Sequence, residues 1–149
     1  MKVKDIMVKN VKAARTGDVI KDIVILICTN QFSGVPVLDN KDNLVGIISE
    51  KDILKAMYPN YLEFHDDPIR ARDFDETEER YSDLLSLKVE DLMTKEIWTI
   101  QSDTHILKAA SLMLSKRIRR IPVVDNGKLV GIVSQGDIHQ AIFKNKLIK

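Results

Sequence analysis

Val45–Ile53 reads VGIISEKDI, and Val130–Ile138 reads VGIVSQGDI. In both stretches a glycine is followed by two apolar residues, then a serine, then an aspartate three residues beyond the serine. A chain that writes one such stretch twice is built from a repeat, and the repeat decides the fold.

The match extends outward in both directions. Val3-Lys-Asp-Ile-Met7 aligns with Val89-Glu-Asp-Leu-Met93, and Val35-Pro-Val-Leu-Asp39 with Ile121-Pro-Val-Val-Asp125, both at an offset of 86. Leu44–Ser49 aligns with Leu129–Ser134 at 85. The one-residue change falls in a turn, where length differences are cheap. The expected division is residues 3–56 for copy one, 57–88 for an acidic insert and 89–142 for copy two.

Each copy carries the same order of elements. Val11–Ala14 and Ile97–Ile100 read as short strands. Val19, Ile23, Ile27 and Asn30 in copy one recur at helical spacing, as do Ile106, Ala110 and Met113 in copy two. The apolar runs Val35–Leu38 and Leu44–Ile48 follow, joined by DNKDN; their counterparts Pro122–Val124 and Leu129–Val133 are joined by DNGK. Asn-Gly between apolar runs signals a hairpin. A second helix is expected from Ser49 and from Ser134. The fold class is α+β, with the unit βαββα made twice. Pro36 and Pro122 donate no ladder bond, so their strands should lie at a sheet edge or carry an unpaired side. Backbone groups left free there are open to a ligand or partner.

The insert holds nine acidic residues against three arginines over positions 58–87, whereas the whole chain carries +1, so the copies are the basic part. Its anchors Tyr58, Tyr61, Leu62, Phe64, Phe74, Tyr81 and Leu84 predict a partly helical excursion packed on the copies. With 149 residues, 44% hydrophobic and 30% charged, the chain has the composition of a soluble globular protein. Near-neutral charge argues against a dedicated nucleic-acid binder. The six-residue run IVILIC is far too short for a membrane span. A cytoplasmic location is expected from the charged N-terminus, which lacks a signal-peptide core. Cys28, the single cysteine, lies in that apolar run and is expected to be a buried thiol.

On residues alone, Ser49-x-x-Asp52 and Ser134-x-x-Asp137 admit two readings. Serine caps a helix and the aspartate accepts from the cap's free N–H. Alternatively, the helix start attracts an anion and the aspartate receives ribose hydroxyls. Recurrence favours the second reading, as do Gly46 and Gly131, which permit close approach of backbone or ligand. Copy two adds Lys116, Arg117, Arg119 and Arg120 before its proline strand, where forked guanidinium groups suit phosphate. His65, His105 and His139 are scattered without metal-ligand spacing. There is no nucleophile elbow, phosphate-cradling loop or dinucleotide fingerprint. The chain is therefore expected not to be an enzyme, and no metal or catalytic cofactor is expected.

In order, VKDIM and VEDLMTKEIWTIQSD, GVPVLD and RRIPVVD, LVGIISEKDI and LVGIVSQGDI resemble a tandem pair of CBS domains, the family named after cystathionine β-synthase. The resemblance spans both copies and leaves out the insert. It implies two βαββα motifs packed with pseudo-two-fold symmetry into one module that binds AMP, ADP, ATP or a related adenosyl ligand in two clefts. Carried onto this chain, it implies one cleft from Ser49, Lys51 and Asp52 with Ile97, Trp98, Arg119, Arg120 and Ile121. The other would take Ser134, Gly136 and Asp137 with Val11, Lys12, Ser33, Gly34 and Val35. The first is expected to bind better, because Ser33 and Gly34 stand where the other copy has two arginines. Trp98 either stacks on adenine or covers a sheet or interface. The resemblance also implies a homodimer and a regulated enzyme or transporter as partner. The competing expectation is a ligand-free structural or dimerisation module.

Overall fold

The computed structural model describes residues 1–58 and 74–148. The insert anchors Tyr61, Leu62 and Phe64 fall outside the described residues. Copy one contains β1 (Ala14–Arg15), α1 (Ile20–Asn30), β2 (Gly34–Leu38), β3 (Leu44–Ser49) and α2 (Glu50–Ala56). The end of the insert forms α3 (Phe74–Leu84), and α4 (Val89–Leu92) opens copy two. Copy two continues with α5 (Ile106–Lys116), β4 (Arg120–Asp125), β5 (Lys128–Ser134) and α6 (Gln135–Leu147). The βαββα order is complete in copy one; copy two repeats αββα, with its first strand reduced to an isolated bridge.

The described residues divide into two compact units: Ala13–Lys41 with Val45–Ile97, and Met1–Lys12 with Asp42–Leu44 and Trp98–Lys149. In the first unit β2 is the middle strand of a sheet ordered β1-β2-β3. Its core gathers Ile20, Ile23 and Ile27 from α1 with Val35, Val37, Ile48, Ile53 and Val89. The second unit pairs β4 with β5 in antiparallel register and buries Val3, Ile106, Ala109, Met113, Ile121, Val123 and Val133.

The strand expected at Val11–Ala14 begins only at Ala14, and its counterpart is a single parallel bridge, Ile100 to Val123. Pro36 is not on an edge strand. On the β1 side it has no ladder partner, because β1 joins β2 only at Val37 and Leu38, starting one residue beyond the proline. The hairpin in copy two turns on Asn126 and Gly127, with φ of 51° and 77°. Two consecutive left-handed residues are what a two-residue turn of type I′ requires.

Cys28 corrects the expectation of a buried thiol: it is exposed. The buried stripe of α1 runs through Ile20, Ile23 and Ile27, and Cys28 lies about 100° around the helix from Ile27. The expectation of helix in the insert holds over α3, which buries Thr77 and Leu84 and packs Tyr81 on the first core. Burial raises the Tyr81 phenol pKa, and the charge of the nearby Cys28 thiolate adds to it.

The leading segment of each copy does not pack with its own copy's sheet. Val89 is fully buried in the first unit, its N–H donating to Asp18 O at 2.8 Å, and Lys88 bridges Val19. Val3 is fully buried in the second unit, its N–H donating to Thr104 O at 2.8 Å, and Lys2 bridges His105. A few residues on, Thr94 bridges Ile47 and Val8 bridges Ile132 at matching positions. The sequence repeat and the compact unit are therefore different divisions of the same chain.

Candidate functional site

Each unit presents one helix start immediately after a strand. In the first, Ser49 caps α2: the Asp52 N–H donates to Ser49 Oγ at 3.3 Å, and the Ser49 N–H donates to Asp52 Oδ2 at 2.9 Å. Ser49 Oγ also donates to Asp52 Oδ2 at 3.0 Å. In the second, the Asp137 N–H donates to Ser134 Oγ at 3.0 Å and the Ser134 N–H to Asp137 Oδ2 at 2.9 Å. The capping reading therefore holds at both starts, and each box satisfies two otherwise orphaned donors. It does not use up the carboxylates, since an ionised carboxylate offers about four acceptor positions.

The residue just before β2, and likewise the one just before β4, is tied to the helix start. The Glu50 N–H donates to Ser33 O and the Gln135 N–H to Arg119 O, both at 2.9 Å. A β-carbon on Gly34 would lie 2.8 Å from Ile48 O, so Gly34 lets β2 and the end of β3 close up beside Ser49. Arg120 stands opposite Ser134 in the β4–β5 register. Arg119 and Arg120 are exposed and form no ion pair among the described residues.

The expected site residues are thus distributed as follows. The first unit holds Ser33, Gly34, Val35, Ser49, Lys51, Asp52 and Ile97; the second holds Val11, Lys12, Trp98, Arg119, Arg120, Ile121, Ser134, Gly136 and Asp137. Within single units, Ile97 accompanies the Ser49 box, and Val11 and Lys12 accompany the Ser134 box. Both arginines also share their unit with Ser134 and Asp137 rather than with Ser49.

Two sequence readings change. Gly46 and Gly131 do make room for close approach, but it is filled from within the chain. A β-carbon on Gly46 would come within 2.6 Å of Met93 Sδ, and one on Gly131 within 2.6 Å of Met7 Sδ. Trp98 is half exposed, with the Lys116 ammonium 4.3 Å from its ring centroid. That cation covers one face of the indole.

Sequence reasoning missed Thr94. Its hydroxyl donates to Asp52 Oδ1 at 2.9 Å. In the repeat alignment Thr94 stands opposite Val8, which cannot make this bond. A polar-for-apolar exchange directly after the paired methionines was the available signal.

The sequence model of the CBS domain matches residues 3–59 and 89–144. An uncharacterized protein of Methanocaldococcus jannaschii is 38% identical, covering 95% of this chain and 91% of its own. The structure of Arabidopsis thaliana CBSX2 in complex with AMP superposes with a TM-score of 0.74 at 28% identity, covering 97% of this chain and 98% of that one. The CBS domain pair of protein MJ0100, in complex with 5′-methylthioadenosine and S-adenosyl-L-methionine, gives 0.74 at 26% identity, covering 98% of both chains.

Proposed function

The chain belongs to the CBS domain family, and from that premise we propose that it is a regulatory module binding AMP, ADP, ATP or a related adenosyl compound, without chemistry of its own. The observation that carries the reading is the Ser–Asp box made at both helix starts, in a chain whose solved relatives hold AMP or adenosyl compounds. Asp52 and Asp137 receive ribose hydroxyls, held in place by Ser49 and Ser134. Lys12, Lys51, Arg119 and Arg120 supply positive charge for phosphate. The backbone around Val11, Ser33, Gly34, Val35, Ile97, Ile121 and Gly136 offers edges to the base. Trp98 flanks the basic cluster of copy two. A ligand regulates such a module only through unequal affinity for two of its arrangements.

A thermal-shift panel of AMP, ADP, ATP and S-adenosylmethionine tests this. A ligand at 100 times its Kd stabilises the folded chain by about 2.7 kcal/mol. No shift with any of them at millimolar concentration would sink the proposal.

A second reading, assembly into a homodimer, has its own support. Leu107 and Leu114 on α5 and Phe143 and Leu147 on α6 are exposed, and they belong to one unit. Such side chains suit an interface with a second copy. Light scattering should give twice the chain mass, falling to one chain mass in Leu114→Glu; a monomeric wild type removes this reading.

A further inference from the structure

The two aspartates differ in how much of their acceptor capacity the protein consumes. An ionised carboxylate has about four acceptor positions. Asp52 accepts from the Ser49 N–H, from Ser49 Oγ and from Thr94 Oγ1. Asp137 accepts from the Ser134 N–H alone among the described residues. The difference at Oδ1 traces to one pair of positions. Thr94 bridges Ile47 just as Val8 bridges Ile132, so threonine and valine, which share a shape, occupy equivalent places beside the two boxes. Threonine delivers a hydroxyl proton to the carboxylate and valine delivers nothing.

A vicinal diol, such as the 2′- and 3′-hydroxyls of a nucleoside, brings two donors and needs two open acceptor positions. Asp137 has them. Asp52 has about one, unless the Thr94 hydroxyl is displaced. Arg119 and Arg120, whose backbone is tied to the start of α6, also lie in the unit of Asp137. We infer that Thr94 is a specificity-determining residue. It occupies Asp52 with an internal hydroxyl that competes with a ribose, so the diol of an adenosyl ligand engages Asp137 first. This reverses the order expected from the cations alone. It rests on the nucleotide-binding reading above and names which of the two boxes carries it.

The test is an AMP titration of the full chain carrying 13C-labelled aspartate side chains, following the carboxyl signals of Asp137 and Asp52. Asp137 should respond at roughly tenfold lower AMP than Asp52, the size expected for one hydrogen bond to a charged acceptor. Thr94→Val should bring the Asp52 response to about tenfold lower AMP, Thr94→Ser should restore the wild-type value, and Val8→Thr should weaken the Asp137 response. Thr94 and Val8 are both exposed, so these variants keep the core intact. If Asp52 responds with or before Asp137, or if Thr94→Val leaves its response unchanged, the inference is overturned while nucleotide binding stands. If neither carboxyl responds to millimolar AMP, the binding reading falls and takes the inference with it.

Discussion

Met93 lies so close to Gly46 that a β-carbon on the glycine would come within 2.6 Å of its sulfur. The same contact joins Met7 to Gly131, where the Val8 carbonyl also lies 2.9 Å from the added carbon. These paired contacts seat the leading segment of each copy on a strand of the other. Gly46→Ala should therefore destabilise the fold by about 1–3 kcal/mol, the usual cost of overpacking. Gly131→Ala should cost somewhat more than Gly46→Ala, because the rigid Val8 carbonyl lies 2.9 Å from the added carbon whereas the matching Thr94 carbonyl lies 3.1 Å from that at Gly46. Urea denaturation measures both, and combining Gly46→Ala with Met93→Ala should cost less than the sum of the single changes. A neutral Gly131→Ala would show that the segment does not seat as described.

Ser134 caps a helix of thirteen residues whose first turn also carries Asp137. Ser134→Ala should cost about 1 kcal/mol, with Ser134→Thr recovering most of it. Asp137→Ala should lose the cap contribution and also the AMP response. A variant that loses stability but keeps full AMP affinity would confine Asp137 to capping.

Asp125 accepts from both the hydroxyl and the backbone N–H of Ser102. The Ser102 hydroxyl and then its N–H hold the Asp125 carboxyl below the usual carboxylate range, against an opposing effect of desolvation and with a lesser contribution from the charge of Lys4. A depressed folded-state pKa gives stability that is fully present above the unfolded value. It is lost as pH falls through the folded one. Ser102→Ala should move the Asp125 titration upward toward the ordinary range and shift acid unfolding to higher pH. Side-chain carboxyl NMR reads the first and circular dichroism the second; an unchanged titration refutes the assignment.

Much of this architecture was legible because the repeat was written in short local signals. Asn126-Gly127 announced its turn, and Ser49 and Ser134 announced their helices, since each depends on neighbours within a few residues. Pro36 left two outcomes open, an edge strand or an unpaired side, and the second holds toward β1. Proline forbids a ladder bond at one residue, but whether its strand is central depends on where β1 stops, which is a tertiary matter. Cys28 misled because a run of six apolar residues has no internal marker of which side faces the core. Gly46 showed that something approaches closely, and only the packing showed that Met93 does so. The Thr94–Asp52 bond spans 42 positions and was visible only as an unexplained mismatch with Val8.

The exposure of Cys28 predicts rapid reaction of the native protein with a thiol reagent, at a rate close to that of the unfolded chain. α1 keeps its buried stripe in the reacted protein, so circular dichroism should be unchanged. Reaction only after denaturation would return Cys28 to the core.

Trp98 is the only tryptophan in the chain, so its fluorescence reports one environment. The Lys116 ammonium stands 4.3 Å from the ring centroid, a pairing worth about 0.5–1 kcal/mol at an exposed site. Lys116→Met should cost no more than that and should shift the emission, because the cation leaves the ring face. Acrylamide should quench Trp98 in the wild type, since the indole is half exposed, and quench it differently once Lys116 is gone. With one face already covered by Lys116, the ring is expected to serve the surface of copy two rather than adenine, and saturating AMP should then leave the emission unchanged. Strong quenching by AMP, deepened by Lys116→Met, would instead mean that the base displaces the lysine and stacks on the ring.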